Sequence, residues 1–271
     1  MTLLQAILLG IVQGLTEFLP VSSSGHLVLV PYLFGWQIPA DQAFVFNVLV
    51  QIGTLVAVFV YFWGDLFEIA RTFLAALARR QPAHPEARMG WLILIATIPA
   101  ATFGLAFKSA VEAAFQSVTA TGLFLLFTAG LLVAAERIGK RQRSMAQMTW
   151  RDALVVGLFQ LLALFPGVSR SGSTITGGMA RHLERGEAAR FSFLIAVPIM
   201  LGAGLNSLVD LFRLPDVSAF LAPMLAGFVA SAVVGYLSIR WLLGFLKRSP
   251  LYVFALYVGV VGGGTLVSVL I

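Results

Sequence analysis

Long apolar stretches make up most of the chain, and polar residues interrupt them at a few places. Six stretches have the roughly 17–25 residues that a helix needs to cross a bilayer: 42–63, 91–107, 118–136, 188–211, 219–239 and 251–271. Two further apolar regions, 3–35 and 152–181, are each broken midway by a polar loop that contains glycine and proline. The pattern predicts an all-α integral membrane protein with six crossings and two re-entrant helix-loop-helix segments.

The segment 65–80 follows the first predicted crossing and carries apolar residues at helical spacing. This spacing is typical of an amphipathic helix that lies along the cytoplasmic interface of a membrane. An extension of the preceding helix would have the same pattern, so both interpretations are open.

The composition agrees with a membrane protein, because 59% of the residues are hydrophobic and 11% are charged, whereas soluble domains carry about 25% charged residues. The first stretch lacks the basic region and the cleavage site of a signal peptide, so we expect it to remain in the mature protein. Cysteine is absent, which excludes disulfides, a thiolate nucleophile and a cysteine-based metal site.

The basic residues indicate the topology. Of the 18 Lys and Arg residues, fifteen fall in four regions, 64–90, 137–151, 181–190 and 240–248. If both broken segments are re-entrant, these regions share one face, which the positive-inside rule makes cytoplasmic. Both termini and the loops 36–41 and 108–117 then face outward, with only Lys108 and Arg213 on that side. The basicity therefore predicts topology and contact with anionic lipids, and no nucleic-acid partner.

The chain repeats itself at an offset of 147 residues. Segment 6–25 aligns with segment 153–172 without a gap, and nine of twenty positions are identical. We interpret the chain as one membrane domain built from repeat one, about 1–140, and repeat two, about 148–271. Each repeat has three crossings, an odd number, so the two insert with opposite topology. Such inverted repeats place polar sites near the midplane, where broken helices meet.

The two copies of the polar loop differ at three chemically important positions: Glu17 aligns with Leu164, Ser23 with Arg170, and His26 with Ser173. One loop kept an acid, a central serine and an imidazole, and the other kept a guanidinium. If the loops approach each other, these residues form one asymmetric site.

These residue types suit phosphate chemistry. Serine-rich turns that open helices cap them and offer free N–H groups to anions, and Arg170 can donate two parallel hydrogen bonds to a phosphate. Ser23 could act as nucleophile with His26 as general base or acid. Gln13 and Glu17 lie on one helix face, where Glu17 could hold a divalent cation with the Gln13 amide oxygen, or orient His26 as in a triad.

Simpler interpretations stay open for the same residues. A serine-rich break is often only a kink in a membrane helix, and a single histidine near a helix end is often structural. Glu17 and Arg170 are costly at membrane depth and mark function, but they could also be an ion pair that ties the repeats together. Two functional classes remain: a phosphatase for a lipid phosphate, and a secondary transporter for an anionic substrate.

Four stretches carry a resemblance to a known family. A motif Glu/Gln-x-x-x-Glu followed by L-P-V-S-S-(S/T)-G-H matches residues 13–26, and P-G-x-S-R-S-x-x-T matches 166–174. The stretch F-S-F-L-x-A-V-P begins at residue 191, and QIGTLVAV covers 51–58. Over nearly its whole length the chain resembles the undecaprenyl-diphosphate phosphatase family, also called the bacitracin-resistance proteins.

The resemblance implies hydrolysis of undecaprenyl diphosphate to undecaprenyl phosphate and inorganic phosphate, assisted by a divalent cation such as Mg²⁺ or Ca²⁺. This reaction recycles the lipid carrier for cell-wall polymers and opposes bacitracin. The expected location is the bacterial cytoplasmic (inner) membrane, with the active site open to the outer face. A transporter or flippase for a lipid phosphate is the alternative function.

The resemblance also assigns residues. Its catalytic set matches Glu17, Ser23, His26 and Arg170, and Glu17 with Gln13 would hold the cation. Position 13 is Gln where many members have Glu, which weakens a two-carboxylate metal site. We predict Ser23 as the nucleophile and His26 as its rival. The supporting phosphate contacts, besides Arg170 itself, are Ser22, Ser24, Ser169, Ser171 and Thr174.

Overall fold

A computed structural model describes residues 1–82, 84–107, 117–211 and 217–270. Within its helices it leaves the side chains of 40, 41, 44, 203, 205–211 and 217–219 undescribed. The described residues contain no β-strand and form eleven α-helices: α1 (Leu3–Thr16), α2 (Ser23–Leu33), α3 (Ala40–Tyr61), α4 (Trp63–Ala78), α5 (Arg88–Ala106), α6 (Val118–Ile138), α7 (Trp150–Leu162), α8 (Arg170–Ala180), α9 (Arg185–Leu211), α10 (Val217–Leu246) and α11 (Tyr252–Leu270).

The protein is an all-helical integral membrane protein, as the hydropathy pattern predicted. Four helices are long and apolar enough to span a bilayer, in the ranges Pro85–Ala106, Val118–Ile138, Phe220–Leu246 and Tyr252–Leu270. A fifth candidate is the bent pair formed by Val45–Tyr61 and α4. The sixth predicted crossing, 188–211, falls within α9. The predicted outer loop 108–117, except Ser117, lies outside the described residues, as does Arg213.

Helix α4 is a separate element, because it bends by 82° from α3; the alternative of a continuous extension of α3 is wrong. One face of α4 packs against the protein through Ile69 and the buried Ala76. A second face leaves large apolar side chains exposed: Trp63, Phe67, Leu74 and Leu77. Such a stripe suits hydrocarbon rather than water, as in a helix that lies along a membrane surface.

Two pairs of helices, α1 with α2 and α7 with α8, are each joined by a short loop. Helix α1 has 14 residues and α7 has 13, so at 1.5 Å per residue each is about 20 Å long and too short to cross the hydrocarbon core. Each packs closely on a long helix through a glycine. A Cβ on Gly10 in α1 would overlap the carbonyl of Gly227 in α10, and one on Gly157 in α7 would lie 2.6 Å from the carbonyl oxygen of Ala96 in α5.

Local hydrogen bonds recur at the same offset of 147 residues. Helices α1 and α7 both begin with a capping box, formed by Thr2 with Gln5 and by Thr149 with Asp152. Helices α2 and α8 are each preceded by a serine N-cap, whose Oγ accepts a hydrogen bond from the backbone N–H three residues along, at 3.2 Å from Gly25 to Ser22 and 3.0 Å from Gly172 to Ser169. The two broken segments therefore share cap chemistry as well as sequence.

The fully buried Asp152 joins two of the basic regions. Its carboxylate accepts hydrogen bonds from Arg143 at 2.8 Å and from Arg181 at 2.6 Å, and caps α7 through the Thr149 amide. Burial raises the pKa of Asp152, but the hydrogen bonds from the two guanidinium groups outweigh it and hold the pKa below its usual value. The carboxyl group is therefore ionised at neutral pH, which keeps this cluster intact.

Two further carboxylates, Glu136 and Asp65, bind arginines of the region 181–190. Glu136, at the end of α6, accepts hydrogen bonds from Arg185 at 2.6 Å and from the backbone amide of Leu251 at 2.9 Å. Arg190 pairs with Asp65 at 2.8 Å. These contacts join the regions 64–90, 137–151 and 181–190 directly, and Leu251 lies three residues after the region 240–248. The arrangement is consistent with the prediction that the four regions share one face.

The close approach of α7 to α5 predicts that Gly157→Val destabilises the protein, because the added methyl groups have no space beside the Ala96 backbone. We expect a loss of about 1–3 kcal/mol, the usual range for overpacking, seen as a lower unfolding midpoint in detergent. Gly130→Val is the matched control, since a Cβ on Gly130 meets nothing within 4 Å. Equal midpoints for the two variants would contradict the packing of α7.

Candidate active site

The loops that follow α1 and α7 lie against each other. The Ser171 hydroxyl, in the first turn of α8, donates to the Leu19 carbonyl oxygen at 3.0 Å. A Cβ placed on Gly172 would lie 3.4 Å from the Cβ of Pro20. Residues that are about 150 positions apart in the sequence are therefore neighbours, as the comparison of the two loops predicted.

Glu17 is the centre of the cluster. It caps the C-terminal end of α1 and is 4% exposed. Its Oε1 accepts a hydrogen bond from a terminal nitrogen of Arg170 at 2.8 Å. Its Oε2 accepts hydrogen bonds from the Ser23 hydroxyl at 2.6 Å and from the Gln13 amide at 2.9 Å. One carboxylate thus gathers three of the predicted site residues, and these come from both loops.

Arg170 opens α8, so its side chain leaves the helix at the N-terminal end, where backbone N–H groups favour anions. Besides Glu17, the guanidinium contacts the Ser192 carbonyl oxygen at 3.3 Å, and its buried Nε has no partner among the described residues. Thr174 supports the same helix turn, through a 2.6 Å contact between its hydroxyl and that of Ser192. The guanidinium therefore has one N–H donor that no described residue uses.

Ser22 has an unusual backbone conformation, with φ 71° and ψ 94°. Residues other than glycine rarely adopt positive φ, and such strain is typical of functional sites. The equivalent cap of α8, Ser169, has φ −72°. The two loops thus share their hydroxyl contacts but differ in the backbone immediately before Ser23.

His26 is held at both ring nitrogens. Its Nδ1 lies 2.7 Å from the Ser22 carbonyl oxygen, and its Nε2 lies 2.8 Å from the Tyr257 hydroxyl. Neither nitrogen is hydrogen-bonded to Ser23 or Glu17, so the triad-like arrangement considered from the sequence is not formed in this structure. Glu17, rather than His26, is the base in contact with Ser23.

Tyr257 is the functional candidate that sequence reasoning missed. It lies 231 residues from His26 and outside both loop motifs. Neither hydrophobic periodicity nor motif spacing distinguishes it from the other aromatic residues of an apolar helix.

The remaining predicted phosphate contacts divide by exposure. Ser22, Ser169, Ser171 and Thr174 are buried, and their hydroxyl groups already have protein partners. Ser24 is partly exposed, as is the predicted nucleophile Ser23. The buried hydroxyls shape the two loops, and the partly exposed serines are the hydroxyls that a ligand can reach.

Comparison with known proteins identifies the family of this chain. The family model described as bacitracin resistance protein BacA matches residues 6–264. The chain belongs to this family. A protein named undecaprenyl-diphosphatase from Methanosphaera stadtmanae is 43% identical, over 96% of this chain and 95% of the relative. Proteins of the same name from Chlorobaculum tepidum and Chlorobium phaeovibrioides are 41% and 44% identical, with 99% and 95% of this chain and 98% and 93% of the relatives covered.

The family resemblance raises the question of a divalent cation, and the site fits one only in part. The described residues contain no group of three or more His, Cys, Asp or Glu side chains that could hold a metal ion. Glu17 and Gln13 offer one carboxylate and one amide oxygen, and the Gln13 amide nitrogen donates to Glu17. Mg²⁺ is commonly bound by one or two carboxylates together with substrate phosphates. The site suits that arrangement and does not form a cage of protein ligands.

The buried ion pair generates a stability prediction. Glu17→Gln should leave Arg170 as an uncompensated buried cation, and Arg170→Gln should leave Glu17 as an uncompensated anion. We expect each variant to lose roughly 3–5 kcal/mol, and the double variant to lose less than the sum. Unfolding midpoints of the four proteins in one detergent measure this, and additive losses would show that the two charges do not depend on each other.

Proposed function

We propose that this protein hydrolyses undecaprenyl diphosphate to undecaprenyl phosphate and inorganic phosphate at the site formed by its two loops. The reaction would recycle the lipid carrier for cell-wall synthesis and confer resistance to bacitracin. Two observations support the proposal: the family membership with relatives named undecaprenyl-diphosphatase, and the contact of a serine hydroxyl with a carboxylate that also holds an arginine. The second observation is the one that supports hydrolysis, because it places a serine hydroxyl against a base.

Ser23 is the nucleophile in this proposal. Its Oγ lies 2.6 Å from Glu17, so the carboxylate can take the proton as the oxygen attacks the terminal phosphorus. The bond between that phosphorus and the bridging oxygen then breaks, and undecaprenyl phosphate leaves. Water hydrolyses the phosphoserine in a second step and releases inorganic phosphate.

Arg170 would bind the phosphoryl group that is transferred. Its planar guanidinium can donate two parallel hydrogen bonds, and such donors stabilise the charge that gathers on the transferring group. The N-termini of α2 and α8 supply further N–H donors beside it. When the substrate binds, Arg170 exchanges part of its contact with Glu17 for phosphate oxygens, which leaves the carboxylate freer to act as a base.

His26 is the rival nucleophile and a candidate acid or base. Its Nε2 is hydrogen-bonded to the Tyr257 hydroxyl. His26 would have to break this hydrogen bond before Nε2 could attack phosphorus. The Ser23 hydroxyl needs no such exchange, because it already contacts a base. This difference favours Ser23.

A divalent cation, Mg²⁺ or Ca²⁺, would be held by the oxygens of Glu17 and Gln13 together with the diphosphate of the substrate. When bound, it would neutralise part of the charge on the two phosphate groups. The protein residues would fix the position of that charge relative to Ser23 and Arg170.

The halves, about 1–140 and about 148–271, are inverted-topology repeats in this proposal. Support comes from the contacts of the two broken segments: α1 packs on α10, and its sequence counterpart α7 packs on α5. Their caps also recur at the same offset. The loops would then enter from opposite faces and meet near the midplane, where irregular backbone is tolerated if protein or water covers it.

The proposed location is the bacterial cytoplasmic membrane, with both termini outside and the site open to the outer face. The end that carries Asp152 and Glu136 would be cytoplasmic, because the basic regions lie there. Helix α4 would lie along that interface, with Trp63 and Phe67 in the lipid. A transporter or flippase function has no specific support in the site, since transport requires no serine held against a base.

The topology predicts that a cysteine at position 142 is cytoplasmic. Because the chain contains no cysteine, Gln142→Cys is a single reporter. In intact cells an impermeant thiol reagent should leave it unlabelled until the membrane is opened. A cysteine at position 38 should react from outside and serves as the control. External labelling of position 142 would contradict the inverted repeat.

The serine mechanism predicts that Ser23→Ala loses phosphate release from undecaprenyl diphosphate by at least about 10³-fold, since removing a serine nucleophile costs up to about 10⁶ in other enzymes. The wild type should yield a trapped phosphoserine and the variant none, while both still bind substrate. Ser268→Ala, in the last helix, is the control variant, which is prepared and assayed in the same way.

Substantial turnover by Ser23→Ala, or phosphate trapped on His26, would show that Ser23 is not the nucleophile. The same assay with EDTA tests the cation, which should be required for full turnover. Absence of phosphate release from the wild type in the presence of Mg²⁺ and Ca²⁺ would contradict the proposed function itself.

A further inference from the structure

The last helix contacts the first loop through a tyrosine. The Tyr257 hydroxyl lies 2.8 Å from His26 Nε2, and the two rings are nearly parallel, at 6°. Farther along the same two helices, Tyr32 of α2 donates to the Ser268 carbonyl oxygen of α11 at 3.4 Å. The two contacts follow the same order along α2 and α11, and Tyr257 meets α2 in its first turn.

The partners of His26 define its tautomer. A carbonyl oxygen can only accept, so the 2.7 Å contact with Ser22 requires a proton on Nδ1. In the neutral ring Nε2 is then an acceptor, and the Tyr257 hydroxyl donates to it. The ring is thus fixed at one end by the backbone of the first loop and at the other end by α11.

Helix α11 is held firmly in place. A Cβ on Gly262 would lie 2.9 Å from the Gly122 carbonyl oxygen, so α11 and α6 approach at backbone distance. Helix α6 also holds the second loop, because the Thr128 hydroxyl donates to the Gly167 carbonyl at 3.0 Å and accepts from the Ser169 amide at 3.1 Å. Helix α6 therefore fixes the position of Tyr257 relative to the second loop.

His26 is hydrogen-bonded to Ser22, the N-cap residue whose backbone is strained. Ser22 keeps φ 71°, a strained conformation that persists only when its surroundings hold it. Its carbonyl oxygen is the acceptor of His26 Nδ1, and the next residue is Ser23. A hydrogen bond on that carbonyl thus acts directly on the direction in which Ser23 leaves the loop.

We propose that Tyr257 is a positioning residue that acts through His26: it fixes the ring in the Nδ1–H tautomer, which holds the Ser22 carbonyl and so directs Ser23 toward Glu17. This role rests on the proposed phosphatase function. Tyr257 itself needs no contact with the substrate. The arrangement explains why the loop that carries Ser23 has a strained cap and the loop that carries Arg170 does not.

The first test is kinetic and uses the full chain with undecaprenyl diphosphate. Tyr257→Phe keeps the ring and removes the hydroxyl, so kcat should fall about tenfold, the scale of one hydrogen bond, with KM unchanged within about twofold. Tyr252→Phe, on the same helix and with similar exposure at 44% against 45%, should match the wild type. Full kcat in Tyr257→Phe, or an equal loss in Tyr252→Phe, would overturn the proposal.

The second test does not depend on activity. Nitrogen-15 NMR of histidine side chains reports the tautomer, and the chain has three histidines, so the His26 signal can be assigned as the one absent in His26→Gln. The wild type should show the Nδ1–H tautomer, and Tyr257→Phe should change the Nε2 shift and populate the other tautomer. An Nε2–H tautomer in the wild type, or unchanged shifts in the variant, would overturn the role of Tyr257. If the wild type shows the expected tautomer but releases no phosphate, the proposed function fails instead.

Discussion

The ion pair between Glu17 and Arg170 joins the two halves of the molecule. The side chains are only 3% and 12% exposed, and their 2.8 Å contact links a loop in the first half to a helix N-terminus in the second. A buried charge without a partner is strongly destabilising, so each loop needs the other in order to stay buried. The same contact brings Ser23 and Gln13 to one carboxylate, so the pair unites the halves and also assembles the site.

The two loops are similar in their caps and different in their reactive groups. Ser22 and Ser169 make the same hydroxyl contacts at the start of α2 and α8. The first loop adds a carboxylate, a serine and an imidazole, and the second adds a guanidinium. A site with two identical halves would place like charges together, which is unfavourable at low dielectric. Because the two loops differ, the oppositely charged Glu17 and Arg170 can meet between them.

Part of the fold and site could be predicted from the sequence for a physical reason. Membrane helices need long apolar runs, so four spans were clear from hydropathy. An ionisable residue in such a run requires a partner, and the repeat offset identified Arg170 as the residue that could meet the Ser23 loop.

Other features depend on geometry that the sequence pattern does not encode. The sequence pattern left open whether α4 extends α3 or is a separate helix, and only the structure reveals the 82° bend between them. Loop backbone angles are not readable from composition, so the positive φ of Ser22 and the contact of Ser23 with Glu17 rather than His26 were not foreseen. Tyr257 is one aromatic residue among many, and its role depends on where α11 packs.

The central claim is that the two loops form one site, and a disulfide between them tests it most directly. Pro20 and Gly172 are close enough for a bridge, because a Cβ on Gly172 would lie 3.4 Å from that of Pro20, near the usual separation of about 3.5–4.5 Å. In Pro20→Cys/Gly172→Cys, on a chain without other cysteines, mild oxidation should form an intramolecular disulfide, and each single variant should form none. Two free thiols in the folded, oxidised double variant would contradict the account.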